Sequence, residues 1–192
     1  LFEGKALRTS EDFRQAYGEA RAFGKALAKR GKGSGFMKNL MEQRICSSIQ
    51  AGLATARRLL QGETVHAEDD EQEGDVKLET SEEREVLQRM IVRLERLQTD
   101  PKMQAVIHYL EKEQWLGLGV IIFSQYYDTA RWVAEQLAQR YPDEAIGLYA
   151  GAGRSRLFQR GESVSCEREA LKKMVAEHQI RIMVATDAAC EG

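Results

Sequence analysis

The chain has 192 residues, 43% of them hydrophobic, and 28 Lys/Arg against 30 Asp/Glu give a net charge of −2. That is enough to bury one sizeable core with a helical piece appended. The apolar runs fall far short of the roughly 18 residues that a membrane-spanning helix requires, so no membrane partner is expected.

Thr9-Ser10-Glu11-Asp12 reads as a helix start, with hydroxyl caps followed by acids that suit the positive end of the helix dipole. Phe13, Ala16, Tyr17, Ala20, Phe23 and Leu27 then recur at helical spacing. Gly31-Lys-Gly-Ser-Gly35 breaks this helix. A second helix is expected from Phe36 to about Leu60, with Leu40, Met41, Ile45, Ile49, Leu53, Ala56 and Leu60 along one side. Its small residues from Cys46 to Ala56 permit close helix packing.

Charge divides the chain into three stretches. Residues 1–66 carry 12 Lys/Arg and 6 Asp/Glu, a net of 12 − 6 = +6, and form a basic helical region. Residues 67–85 carry 2 and 10, a net of 2 − 10 = −8. Within them, residues 67–80 have almost nothing to bury and read as an acidic flexible linker. The remainder balances.

Ser81 is expected to cap the next helix, whose apolar face is Val86, Leu87, Met90, Ile91, Leu94 and Leu97. Asp100-Pro101 is a further start signal, a cap followed by proline at the first helical position. From Gly119 the rhythm changes. Val120-Ile-Ile-Phe123 is a short continuous apolar run, the pattern of a strand covered on both faces. A helix from about Asp128 to Arg140, a strand at Ala145–Tyr149, a long polar loop, a helix at Glu167–Glu177 and a strand at Arg181–Thr186 follow. This alternation predicts an α/β fold, a parallel sheet flanked by helices and preceded by an α-helical N-terminal region.

In an open sheet of this kind, ligands sit at the carboxyl ends of the strands. Three such ends carry polar or glycine-rich tails: Ser124-Gln125, Ala150-Gly151-Ala152-Gly153-Arg154, and Thr186-Asp187. They are expected to share one rim. Hydroxyls, an amide and exposed backbone N–H groups suit phosphate oxygens, and Arg154 and Arg156 add charge. Arg160 extends this basic loop.

The same segments carry a resemblance. Thr99–Leu110 is similar to the helix that opens the helicase C-terminal domain in Swi/Snf-type superfamily 2 ATPases and their bacterial relatives. Val120-Ile-Ile-Phe-Ser-Gln-Tyr-Tyr-Asp-Thr129 resembles their motif IV, Gly147-Leu-Tyr-Ala-Gly151 the strand and glycine turn that follow, and Glu167–Leu171 the helix before motif V. Val184-Ala-Thr-Asp-Ala-Ala-Cys-Glu-Gly192 resembles motif V itself. Gln43–Gly52 is also similar to a region between the two motor domains of bacterial members.

The resemblance implies a RecA-like helicase C-terminal domain at residues 81–192, truncated after motif V, behind an inter-domain helical region. It implies a parent that moves on nucleic acid, with duplex DNA the expected partner, by closing two RecA-like domains over ATP. By the same resemblance Ser124, Gln125, Gly151 and Thr186 face the nucleic-acid backbone. Asp187, Glu191 and Gly192 lie nearest the nucleotide. ATP and Mg2+ would be held mainly by a first RecA-like domain of the same polypeptide.

Motif VI is not present in the chain, and neither is a Walker A sequence. Gly31–Gly35 and Gly24-Lys25 lack the required spacing and a preceding strand. The chain alone is therefore expected not to hydrolyse ATP, and no residue in it is assigned as catalytic. A start without Met and an end inside a motif read as part of a longer protein. No basic-then-apolar leader opens the chain, and Cys46, Cys166 and Cys190 are odd in number and widely spaced. They form no disulfide framework or zinc pattern, so a cytoplasmic location is expected and no metal site is assigned. A non-catalytic scaffold of the same fold, binding nucleic acid or protein, is the alternative reading.

Overall fold

The computed structural model describes residues 8–29, 34–63, 65, 77–151 and 153–186. It divides into two compact units, Leu1–Lys102 and Met103–Gly192. Among the described residues no helix is long and apolar enough to cross a membrane.

The first unit is built from helices α1 (Glu11–Ala28), α2 (Ser34–Ser47), α3 (Ile49–Leu60) and α4 (Ser81–Glu95). Ser10 caps α1 as its sequence demands, its Oγ accepting from the Phe13 amide at 3.2 Å. Phe23, Leu27, Leu40, Met41, Ile45, Leu53, Leu59, Val86, Leu87, Met90 and Leu94 form one buried core. The helix α4 thus belongs to this first core, and the structural division falls at 102/103 rather than at residue 81. Burial decides this: Leu87, Met90 and Leu94 are fully enclosed by the N-terminal helices. Most of the acidic stretch expected to be a linker lies outside the described residues.

Two local expectations are corrected. The single helix expected over 36–60 is two helices, because Ser48 adopts an extended backbone (φ −160°, ψ 156°) and its hydroxyl accepts from the Ala51 amide at 3.0 Å. Asp100 reinforces the break from 51 residues away: one carboxylate oxygen accepts from the Ile49 amide and the other from the Lys102 amide, both at 2.9 Å. One buried carboxylate therefore caps two helix starts, those of α3 and of α5 (Pro101–Glu111). The glycine in the small-residue stretch is required by the resulting approach, since a Cβ on Gly52 would stand 2.7 Å from Ile45 Cγ1. The second correction is a shift of one residue. Thr80, not Ser81, caps α4, in a reciprocal capping box with Glu83.

The second unit is α/β. After α5 and the short α6 (Trp115–Leu118) come β1 (Val120–Phe123), α7 (Tyr127–Arg140), β2 (Ile146–Tyr149), β3 (Arg156–Gln159), β4 (Glu162–Ser165), α8 (Arg168–Ala176) and β5 (Ile182–Ala185). The sheet order is β1-β5-β2-β3-β4. The strands β1, β5 and β2 are parallel, whereas β3 and β4 are antiparallel, so the sheet is mixed and not the parallel one expected. The long polar loop between β2 and α8 is in fact a hairpin. Its two-residue turn has Arg160 at φ 53° and Gly161 at φ 78°, the left-handed pair that matches the twist of the flanking strands.

Alternation along the strands separates two cores. Ile146, Leu148, Ile182 and Val184 face Met103, Leu110, Val133 and Leu137 on one side. Tyr149, Met183 and Ala185 face Leu171 on the other. The strand β1 departs from the expectation of two covered faces. It is an edge strand, with Ile121 and Phe123 54% and 58% exposed among the described residues.

Two outcomes test the first unit. Asp100→Ala leaves two helix-start amides without an acceptor and is expected to cost about 2 to 4 kcal/mol in urea unfolding. The Tyr17 hydroxyl donates to Glu42 at 2.6 Å between α1 and α2, and this carboxylate pushes the phenol up to about 12. The folded value is raised, so the contribution is complete below the free-tyrosine value near 10 and is lost as pH climbs towards 12. Thermal melts across that range are expected to show a decline that Tyr17→Phe lacks.

Candidate nucleic-acid interface

The parallel pairing determines what can meet at the sheet's carboxyl rim. Phe123 is level with Ala185 on β5, and Ala185 is level with Tyr149 on β2. The residues that follow, Ser124, Thr186 and Ala150, therefore leave three neighbouring strands at one height. With strands about 4.8 Å apart, the crest spans roughly 10 Å. The convergence expected of the three strand ends is present.

The rim is tied together by its own hydrogen bonds. The Ser124 amide donates to Ala185 O at 2.9 Å, and the Thr186 amide donates to Tyr149 O at 3.0 Å. These continue the ladder one residue past each strand. The Ser124 hydroxyl donates to Tyr126 O at 3.1 Å and accepts from the Tyr126 amide at 3.4 Å, which closes the turn into α7. Ser155, buried at 2% exposure, holds both sides of Ala150: its Oγ accepts from the Ala150 amide at 2.9 Å and donates to Ala150 O at 2.8 Å. The Arg154 amide donates to Gly151 O at 3.1 Å, and Gly153 takes φ +68°.

The expected site residues differ in what they present. Gln125 and Arg154 are exposed, and Gly151 is half-exposed. The Gly151 amide donates to no described residue. Thr186 is 8% exposed, the most enclosed of the set, and the Ser124 hydroxyl is engaged internally. Arg154 stacks over the Tyr127 ring at 4.4 Å from Cζ to centroid, and the Tyr127 hydroxyl donates to Arg154 O at 3.5 Å. The guanidinium is thereby held at the rim. Arg156 is committed elsewhere: its Nε donates to Ser163 Oγ at 2.7 Å and Nη2 to Ser163 O at 2.9 Å, across the hairpin. Arg160 occupies the hairpin turn. Asp187, Glu191 and Gly192 lie outside the described residues, as do Gly31, Lys32 and Gly33, whereas Gly18, Gly24 and Lys25 lie within α1.

Three contributors carried no sequence signal. Ser155 reads as one more polar loop residue until β3 begins beside it. Tyr127 and Tyr149 read as helix and strand residues until cations are found over their rings. What the arrangement can do is set by these groups. An exposed amide side chain, a glycine turn and a stacked guanidinium can hold anionic oxygens without reading any base.

Compared with known families and with curated proteins, the chain matches none in sequence.

Removing the Ser155 hydroxyl is expected to release the glycine turn. Ser155→Ala should cost about 1 to 3 kcal/mol and speed hydrogen exchange at the Ala150 amide.

Proposed function

We propose that this chain supplies the second RecA-like motor domain of a Swi/Snf-type ATP-dependent DNA translocase or helicase. The observation that carries the reading is the common height of Ser124, Ala150 and Thr186 at the rim of β1, β5 and β2. Those three strand ends hold the segments similar to motif IV, the glycine turn after it, and motif V. Ser124 and Thr186, 186 − 124 = 62 residues apart in sequence, come to lie on one contiguous edge with Ala150 because the three strands pair side by side and parallel.

In this reading Gln125, the Gly151 turn and Arg154 receive phosphate oxygens of duplex DNA, with Ser124 shaping the first turn. Thr186, nearly enclosed, acts at the base of the crest. Such contacts neutralise backbone charge and make affinity fall steeply with salt. Asp187, Glu191 and Gly192 would sit towards ATP and Mg2+, which a first motor domain of the same polypeptide would hold. Closure of the two domains over nucleotide would then move the rim along the backbone. The hairpin of β3 and β4 widens the sheet beside the glycine turn and leaves the three-strand rim intact, so an inserted hairpin is compatible with the assignment.

The test is the ATPase rate of the full-length protein with and without duplex DNA, with RNA as the control. Strong stimulation by DNA is expected. Thr186→Ala is expected to lower the DNA-stimulated rate roughly tenfold, about the worth of one hydrogen bond to a charged group. A folded protein that hydrolyses no ATP would leave the alternative, a binding scaffold of the same fold.

A further inference from the structure

Two cations share one aromatic ring beside the rim. Arg168 and Lys172 lie four residues apart on α8, with Arg168 Cζ 5.7 Å and Lys172 Nζ 5.9 Å from the Tyr149 ring centroid. Tyr149 ends β2, one residue before the Ala150-Gly151 turn and level with Ala185. It is buried in the core that contains Leu171 and Met183, so the ring is a fixed platform. Arg168 lies within cation–π reach of the ring, and the Lys172 ammonium also donates a hydrogen bond to the Tyr149 hydroxyl, so both head groups are restrained beside Tyr149.

Like charges at this helical spacing repel. Glu169 offsets the repulsion in part, through a 3.0 Å pair with Lys172 whose carboxylate side chain is 83% exposed and therefore well screened. Among the described residues Arg168 has no carboxylate partner. An anion shared between the two head groups removes the repulsion and offers the guanidinium the oxygen pair its planar fork fits. On the opposite face of the sheet, Arg154 is held over Tyr127 in the same manner. Tyrosine-held cations thus stand on both sides of the Gly151 turn.

We propose that Arg168 and Lys172 form a second phosphate-binding station, so that a nucleic-acid backbone crossing the rim continues over the Tyr149 side onto α8. This rests on the reading of the rim as a phosphate track. It adds two contacts from a helix that the resemblance assigns no nucleic-acid role.

The experiment is the salt dependence of affinity for a mixed-sequence DNA duplex, measured by fluorescence anisotropy on the full chain. Each phosphate contact contributes a slope of about 0.9 in log affinity against log salt. The double variant Arg168→Gln/Lys172→Gln is therefore expected to lose roughly tenfold less affinity than the parent between about 50 and 200 mM salt. Arg168→Lys keeps the charge and is expected to keep the parent slope. Both side chains are exposed, and circular dichroism verifies that the variants are folded. An unchanged slope in a folded double variant overturns the α8 station and leaves the rim reading standing. A parent chain with no salt-dependent DNA binding overturns the rim reading and the station together.

Discussion

Hydrogen bonding of β5 to two parallel neighbours, β1 on one side and β2 on the other, is the constraint on which the second unit depends. It sets three strand ends level, and every group discussed at the rim takes its position from that level. The ladder continues past the strands through the Ser124 and Thr186 amides, so the crest is backbone-anchored and not a set of independent loops. Gly147 leaves room for the Met183 side chain on the neighbouring strand, where a Cβ would stand 2.8 Å from Met183 Sδ. A slip of one residue in this register would exchange Tyr149, Met183 and Ala185 with Leu148, Ile182 and Val184 and so set side chains of the wrong size into both cores at once.

The groups that support the rim are mostly buried or aromatic, and those that present charge are mostly held by them. Ser155 fixes the glycine turn from inside, while Tyr127 and Tyr149 hold Arg154 and the Arg168–Lys172 pair from below. This division gives the surface cations definite positions while leaving them in contact with solvent. In the proposed reading, fixed positions matter because a phosphate backbone is met along its length and not at any one base.

The first unit rests on a different device. Its helices are joined by an apolar core, and their starts are fixed by side-chain caps, most of them local and one distant in sequence. Asp100 stops one helix boundary from drifting by accepting from Ile49, and the capping box of Thr80 and Glu83 does the same at α4. Exposed pairs such as Lys29–Glu82 and Arg57–Glu95 add little by comparison, because solvent screens them.

Local chemistry was legible in the sequence wherever a signal and its effect lie within one turn or one strand. The Ser10 cap, the Asp100-Pro101 start, the apolar strands at 120–123 and 182–185 and the helix at 127–140 all follow from spacing and composition. The convergence of Ser124, Gly151 and Thr186 was legible too, because parallel α/β strands place their carboxyl ends together. What only the tertiary structure decided involves partners far apart in the chain. The break at Ser48 depends on Asp100, and the place of α4 depends on which apolar stripe encloses Leu87 and Met90. The hairpin of β3 and β4 depends on pairing to β2 that overrides a polar, loop-like sequence whose turn has Arg160 where asparagine would have announced it. The exposed face of β1 follows from its place at the sheet edge, which its run of four apolar residues cannot reveal. Hydrophobic pattern and capping are properties of neighbours in sequence, whereas strand order, shared carboxylates and cations over rings are properties of neighbours in space.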